Sequence, residues 1–245
     1  MKKTRILSLA LAGVLSVSLL AGCGGGGQGN AETPSGGETT PVNESSAPAG
    51  EAGGTFKIGM IGPLTGGAAI YGTAVANAAQ IAVDEINALG GDIQFELLTE
   101  DDTNDAETAV NAYNALMGEG MQILLGTVTT TPALAVVPYT YDERVFTLTP
   151  SGSGDDVIED NDNVFQVCFT DSNQGTRSAQ YMDEHFEDLK IAIIYRNDDA
   201  YSQGIRDNFV AEAETRGMEI VYEGTFTEAS QTDFSRSEER RVGKE

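Results

Sequence analysis

Apolar residues along the chain fall into two kinds of run that alternate. Short blocks rich in Ile, Val, Leu and Phe, such as FKIGMIG (56–62) and MQILLGTV (121–128), read as buried strands. Between them lie longer stretches with apolar residues three or four apart, which read as helices facing a core. On this pattern, strands are predicted at 56–62, 92–102, 121–128, 145–150, 164–169, 190–195 and 218–226. Helices are predicted at 73–91, 105–120, 130–143, 173–186 and 202–216.

Local signals sharpen several of these elements. In the first helix Val75, Ala79, Ala82, Ile86 and Leu89 form the expected inward face, stopped by Gly90-Gly91, and PLTGGAAIYG (63–72) reads as the loop before it. Asp105 is the expected N-cap of the second helix, which Gly118 or Gly120 ends. In the third, Thr131 is expected at the N-cap with Pro132 at the first helical position. Strand–helix alternation of this kind predicts an α/β fold with parallel sheets flanked by helices. Ligands in such sheets sit beyond the carboxyl ends of the strands.

The first 54 residues break the pattern. Lys2, Lys3 and Arg5 precede an apolar stretch, 6–20, too short for a comfortable membrane span, and Ala21-Gly22 are small residues before Cys23. This is the layout of a signal peptide over 1–22, and Leu20-Ala21-Gly22-Cys23 resembles the bacterial lipobox. That resemblance implies cleavage before Cys23 and lipid attachment to it, on the outer face of the bacterial cytoplasmic membrane. Acyl chains in pairs anchor durably where one binds only marginally. Residues 24–54 are dominated by Gly, Ser, Thr, Ala, Pro, Glu and Asn with Val42 the single bulky aliphatic, a composition too polar to offset chain entropy. They read as a tether with a root-mean-square span on the order of 30 Å. Its Gly24–Gly27 run follows no strand and has no Lys-Ser/Thr partner, so it is not a phosphate loop.

Charge narrows the partners. The formal charge is −24 with 14 basic residues, which argues against nucleic acid because phosphates need a basic patch. Two cysteines make no disulfide framework, so stability must come from a packed core.

The stretch IGMIGPLTGGAAIYGTAVANAAQIAVDEINALGG resembles the start of the branched-chain amino-acid binding proteins that serve ABC transporters. The resemblance continues through TEDDTNDAETAV, ILLGTVTTTPALAV, TLTPSGSG, FTDSNQG, IAIIYRNDDAYSQG and TDF. It implies two α/β lobes that close on a small ligand and then dock on a membrane permease. A first lobe is expected over 55–170 and part of a second over 171–235. After TDFS, the decapeptide RSEERRVGKE (236–245) is unlike the apolar helix the family places there and reads as a non-native tail.

Site residues follow from the same resemblance. Thr130 falls where the family holds the ligand carboxylate with a hydroxyl. Thr129, Thr130 and Thr131 also open a predicted helix, where free N–H groups and the dipole favour an anion. Thr131 as a plain cap is the bland alternative. Ser151 and Ser153 fall where a carbonyl and a hydroxyl receive the ammonium group, although a small-residue loop is also ordinary turn chemistry. Tyr71 and Tyr201 match tyrosines that cover the ligand from opposite lobes, or they are half-buried core edges. The family's acidic partner for the ammonium lies beyond the end of this chain.

Enzyme readings are weaker. His185, the single histidine, lies on a charged helix with no G-x-S-x-G before it. Glu100-Asp101-Asp102 are adjacent on a strand and point to opposite faces, and the Asp160 region lacks the Gly and distal Glu of a calcium loop. Cys168 reads as a buried strand residue with no basic neighbour to activate it. No catalysis, cofactor or metal is expected. A lipoprotein that feeds a transporter with a small amino acid leads, a sensor for an amide, urea or another amino acid is second, and an α/β enzyme is last.

Overall fold

The computed structural model describes residues 53–232. The signal peptide, Cys23, nearly all of the tether and the 236–245 segment lie outside the described residues.

Seven strands and five α-helices follow one another in the described residues in the order the pattern predicts, alternating except where β5 follows β4 directly. They are β1 (Gly54–Gly62), α1 (Ala69–Ala88), β2 (Ile93–Asp101), α2 (Ala106–Gly118), β3 (Ile123–Gly126), α3 (Thr130–Asp142), β4 (Phe146–Thr149), β5 (Val164–Gln166), α4 (Asp171–His185), β6 (Lys190–Arg196), α5 (Ala200–Arg216) and β7 (Glu219–Phe226). β1 opens at Gly54, which pairs with Ile93, so the last residue assigned to the tether belongs to the sheet.

The strands form a five-stranded sheet, β2-β1-β3-β4-β5, and a two-stranded sheet, β6-β7, and every pairing is parallel. The order reverses at β1, whose neighbours are β2 on one side and β3 on the other. Loops leaving the carboxyl ends of β1 and β3 therefore diverge and open a crevice.

The main core lies between the larger sheet and α2 and α3, where Ile61, Tyr113, Leu116, Leu124 and Val136 are fully buried. Tyr113 keeps its hydroxyl satisfied by donating to Glu143 Oε2 at 2.7 Å. A smaller core joins α4, α5 and β6 through Ala179, Ile191, Phe209 and Ala213. β6 and β7 alternate in burial because α4 and α5 cover one face, while Ile194 and Val221 on the other are exposed.

Several boundaries differ from the sequence expectation. α1 starts at Ala69, not 73, so Tyr71 lies in its first turn rather than in a loop. The start carries no capping side chain, and Gly72 disguises it. Gly72 is there for space: a Cβ would sit 2.0 Å from the Pro63 carbonyl oxygen. The inward face of α1 runs through Gly72 and Val83, with Val75 and Ala79 half-buried, whereas Ala82, Ile86 and Leu89 face outward. A window rich in alanine and isoleucine on every side fits two faces, and packing selects one.

The N-cap of α3 is Thr129, not Thr131; its extended backbone (φ −119°, ψ 154°) ends the preceding loop. Pro132 then stands third in the helix, still within the turn whose N–H groups have no helical acceptor. α4 and α5 each begin two residues early, capped by Thr170 and Asp199. β5 stops at Gln166, so Cys168 is a half-buried residue of the following loop rather than of the strand.

Candidate functional site

Loops at the carboxyl ends of the strands enclose a cavity of about 350 Å³. All six residues singled out in the sequence line it: Tyr71, Thr129, Thr130, Ser151, Ser153 and Tyr201. They arrive from α1, α3, the loop after β4, and α5, elements far apart in the chain.

Gly126 ends β3 where the chain turns towards α3. Its φ of 143° is rare for L side chains, and a Cβ there would stand 2.5 Å from the Ile61 carbonyl oxygen. The close approach brings Val128, Thr129 and Thr130 to the cavity wall.

The three hydroxyls differ in what they do. Thr130 is 3 % exposed, and its Oγ1 accepts the amides of Ser153 (3.1 Å) and Gly154 (3.3 Å). Both interactions use its lone pairs and leave its proton to donate. Ser151 donates to the Val128 carbonyl at 2.5 Å, tying the loop after β4 to the one after β3. Thr129 is the exception. Its side chain makes no cap bond, and its buried Oγ1 has no hydrogen-bond partner.

Ser153 faces two ways. Buried to 4 % exposure, it donates its hydroxyl to Asp171 Oδ1 at 2.7 Å, and its carbonyl accepts the Asp171 amide at 2.9 Å. Asp171, the first residue of α4, is 2 % exposed with Oδ2 unpartnered. Burial pushes its carboxyl up to about 6, the charges of Asp155 and Asp199 add to the rise, and the Ser153 bond opposes it. Thr131 reaches across in the same way, accepting the Ala200 amide at 3.2 Å, so the starts of α3 and α5 meet beside the cavity.

The tyrosines cover the opening. Tyr71 is 62 % exposed and Tyr201 41 %, which removes both from the core-edge reading. Tyr201 lies with its hydroxyl 3.5 Å from Gln174 Oε1.

Wall residues that the sequence reading did not assign to the site include Asn104, Cys168, Phe169, Gln174, Arg196 and Asp199. Arg196 ends β6 with its guanidinium held by Asp198 (2.8 Å) and Glu228. Burial raises the Cys168 thiol above its ordinary range. Only Asp199 carried a local signal, as an Asp three residues before a Ser at a helix start; that pattern marks a cap and says nothing of a cavity.

A cavity at the carboxyl ends of parallel strands, walled by hydroxyls, helix starts and two tyrosines from separate α/β units, is shaped to hold a small solute. The chain belongs to the periplasmic binding protein family, whose model matches residues 55–237. It is 34 % identical over 181 residues to a Leu/Ile/Val-binding protein, BraC3, of Rhizobium johnstonii, covering 73 % of this chain and 49 % of that protein. Among solved structures it resembles LivJ of Streptococcus pneumoniae, a branched-chain amino acid transporter substrate-binding protein crystallised with isoleucine. That match has a TM-score of 0.70 and 31 % identity, over 78 % of this chain and 55 % of LivJ. The leucine-binding protein LivK of Thermotoga maritima matches at TM-score 0.69 and 26 % identity, over 77 % and 53 %. The chain spans about half the length of the curated relatives it matches.

Proposed function

We propose that this chain belongs to an extracytoplasmic solute-binding lipoprotein that captures a small apolar amino acid, of the branched-chain type, for an ABC transporter permease. The observation that carries this reading is the unpartnered Thr129 hydroxyl at the start of α3. A buried hydroxyl without a bond is costly, and here it stands where uncapped N–H groups and the helix dipole attract an anion. A ligand carboxylate satisfies both. The Thr130 proton adds a second donor, and Tyr71 and Tyr201 supply broad contacts for an apolar side chain with few rotors to order.

The volume supports a single amino acid rather than a peptide, being at the lower end of small-molecule sites. The names of the relatives favour leucine, isoleucine and valine. In this reading, residues 1–22 direct export, Cys23 carries the lipid, and 24–54 tether the two α/β lobes, 55–170 and 171–235, to the membrane face.

The test is a titration of the chain with isoleucine, leucine, valine, alanine, glutamate and benzoate. Saturable binding of the branched-chain set, lost in excess of one competitor from that set, is expected. Binding of benzoate alone, or of none, overturns the proposal.

A further inference from the structure

We propose that Asp171 makes ligand capture proton-linked: ionised, it holds the Ser153 hydroxyl so that only lone pairs face the ligand, and a proton taken up by Asp171 weakens binding. The inference rests on the proposed amino-acid reading and goes beyond it, since Asp171 lies outside the residues that line the site.

Asp171 stands between two cavities. On one side is Ser153, part of the wall of the strand-end cavity. On the other is a second cavity of about 320 Å³, lined by Asp171 itself with Asp155, Asp156, Asp207 and Asn208 among others. Thr130 borders both. Oδ2 of Asp171 has no hydrogen-bond partner. It lies against two glycines, where a Cβ on Gly204 would stand 2.9 Å away and one on Gly154 3.9 Å.

No counter-charge faces this carboxyl. Asp155 and Asp156 approach from the turn after β4, Asp199 and Asp207 from α5 and its cap, and the Cys168 thiol from the loop before α4. No Lys, Arg or His is among the residues lining the second cavity, and Arg196 in the neighbouring one is engaged by Asp198 and Glu228. A carboxyl 2 % exposed and without a cation holds its negative charge poorly, and burial pushes it up to about 6.

Geometry sets the sign of the coupling. With Asp171 ionised, the Ser153 proton is committed to Oδ1 at 2.7 Å, and the remaining lone pairs accept from a ligand donor. In an apolar amino acid the sole donor near neutral pH is the ammonium group. At ordinary hydrogen-bond lengths it would stand about 5 Å from the Asp171 carboxylate. Opposite charges at that range favour the ionised form. A proton on either oxygen removes the charge, and one on Oδ1 also reverses the bond and turns the Ser153 hydrogen towards the ligand. By reciprocity, isoleucine binding expels the proton that acidification supplies.

The full chain and its Asp171→Asn variant are titrated with L-isoleucine by calorimetry at pH 5 and 7.5, and at pH 6 in two buffers of different ionisation enthalpy. Isoleucine keeps both of its charges across this range. The wild type is expected to bind about fivefold or more weakly at pH 5 than at 7.5, and to release protons on binding at pH 6. In Asp171→Asn the two affinities should agree within about twofold, with no proton release. A carbon-13 titration of the Asp171 carboxyl, which needs no variant, should show its midpoint moved to lower pH by saturating isoleucine. Equal wild-type affinity at both pH values overturns the coupling, as does an unmoved midpoint. A pH dependence undiminished in Asp171→Asn overturns it too, and assigns the effect to another group such as Asp102. Each of these results leaves the proposed function standing. A wild type that binds isoleucine at neither pH fails that function itself, and the role of Asp171 with it.

Discussion

Ser153 and Asp171 form a reciprocal pair: the Ser153 hydroxyl donates to the Asp171 carboxylate at 2.7 Å, and the Asp171 amide returns to the Ser153 carbonyl at 2.9 Å. The pair ties the loop after β4 to the first residue of α4, while the Ser153 amide holds Thr130 at 3.1 Å. One hydroxyl thus links a cavity wall to a buried, titratable group.

That burial gives stability an unusual slope with pH. Asp171 and the fully buried Asp102 are both pushed from 3.8 up to about 6, chiefly by burial. The folded chain therefore holds protons at these sites that the unfolded chain releases. Their contribution is whole below about pH 4 and is lost as pH rises through 6. Carboxylates held low, such as Asp162 on Arg144, act oppositely and only at more acid pH. Scanning calorimetry should find a higher melting temperature at pH 5 than at pH 7.5, with Asp171→Asn flattening the difference. A melting temperature that climbs steadily from pH 5 to 7.5 contradicts this linkage.

Thr129 and Thr130 should respond in opposite ways to losing their hydroxyls. Thr129→Val removes an orphaned buried hydroxyl, so the ligand-free protein keeps or gains stability, by up to about 1 kcal/mol. Isoleucine affinity should nonetheless drop about tenfold or more, the worth of a hydrogen bond to a charged group. Thr130→Ala strands the amides of Ser153 and Gly154 and should cost about 1–3 kcal/mol without ligand. Melting and titrating both variants separates the roles. An equal stability loss in the two would make Thr129 scaffold.

Tyr71 and Tyr201 are too exposed to hold the fold together. Replacing either with alanine should change ligand-free stability by less than about 0.5 kcal/mol. Binding of isoleucine should weaken about tenfold, consistent with the burial of one large side chain against the ligand at roughly 1.5 kcal/mol or more. Urea denaturation and titration measure the two effects independently. Wild-type affinity in both variants would remove the tyrosines from the site.

Lipidation at Cys23 is tested in a bacterial host fed an alkyne fatty acid. The wild-type chain should take up label and partition with membranes, and Cys23→Ser should do neither. Label in both would point to another attachment site and leave the membrane tether without its anchor.

Strand and helix order was legible because periodicity is local: a run such as MQILLGTV or a spaced series such as that after Asp105 carries its own signal. Asp105 accepts from the Thr108 amide as its position predicts. Family resemblance brought Tyr71, Thr129, Thr130, Ser151, Ser153 and Tyr201 forward one by one, and the fold set them around one cavity. The inward face of α1 was not legible, since apolar residues stand on several sides of that helix and only the sheet decides which are covered. Nor was the difference between Thr129, Thr130 and Thr131, three identical residues in a row whose hydroxyls are orphaned, held by Ser153 and Gly154, or taken by Ala200. Asp199, Arg196, Gln174 and Cys168 joined the wall because α4, α5 and the ends of β5 and β6 converge there. The chain by itself determined which segments become strands and helices and in what order, because those preferences act over a few residues. Which hydroxyl remains free and which carboxylate faces the cavity was decided only in the tertiary structure, because each depends on partners tens of residues away.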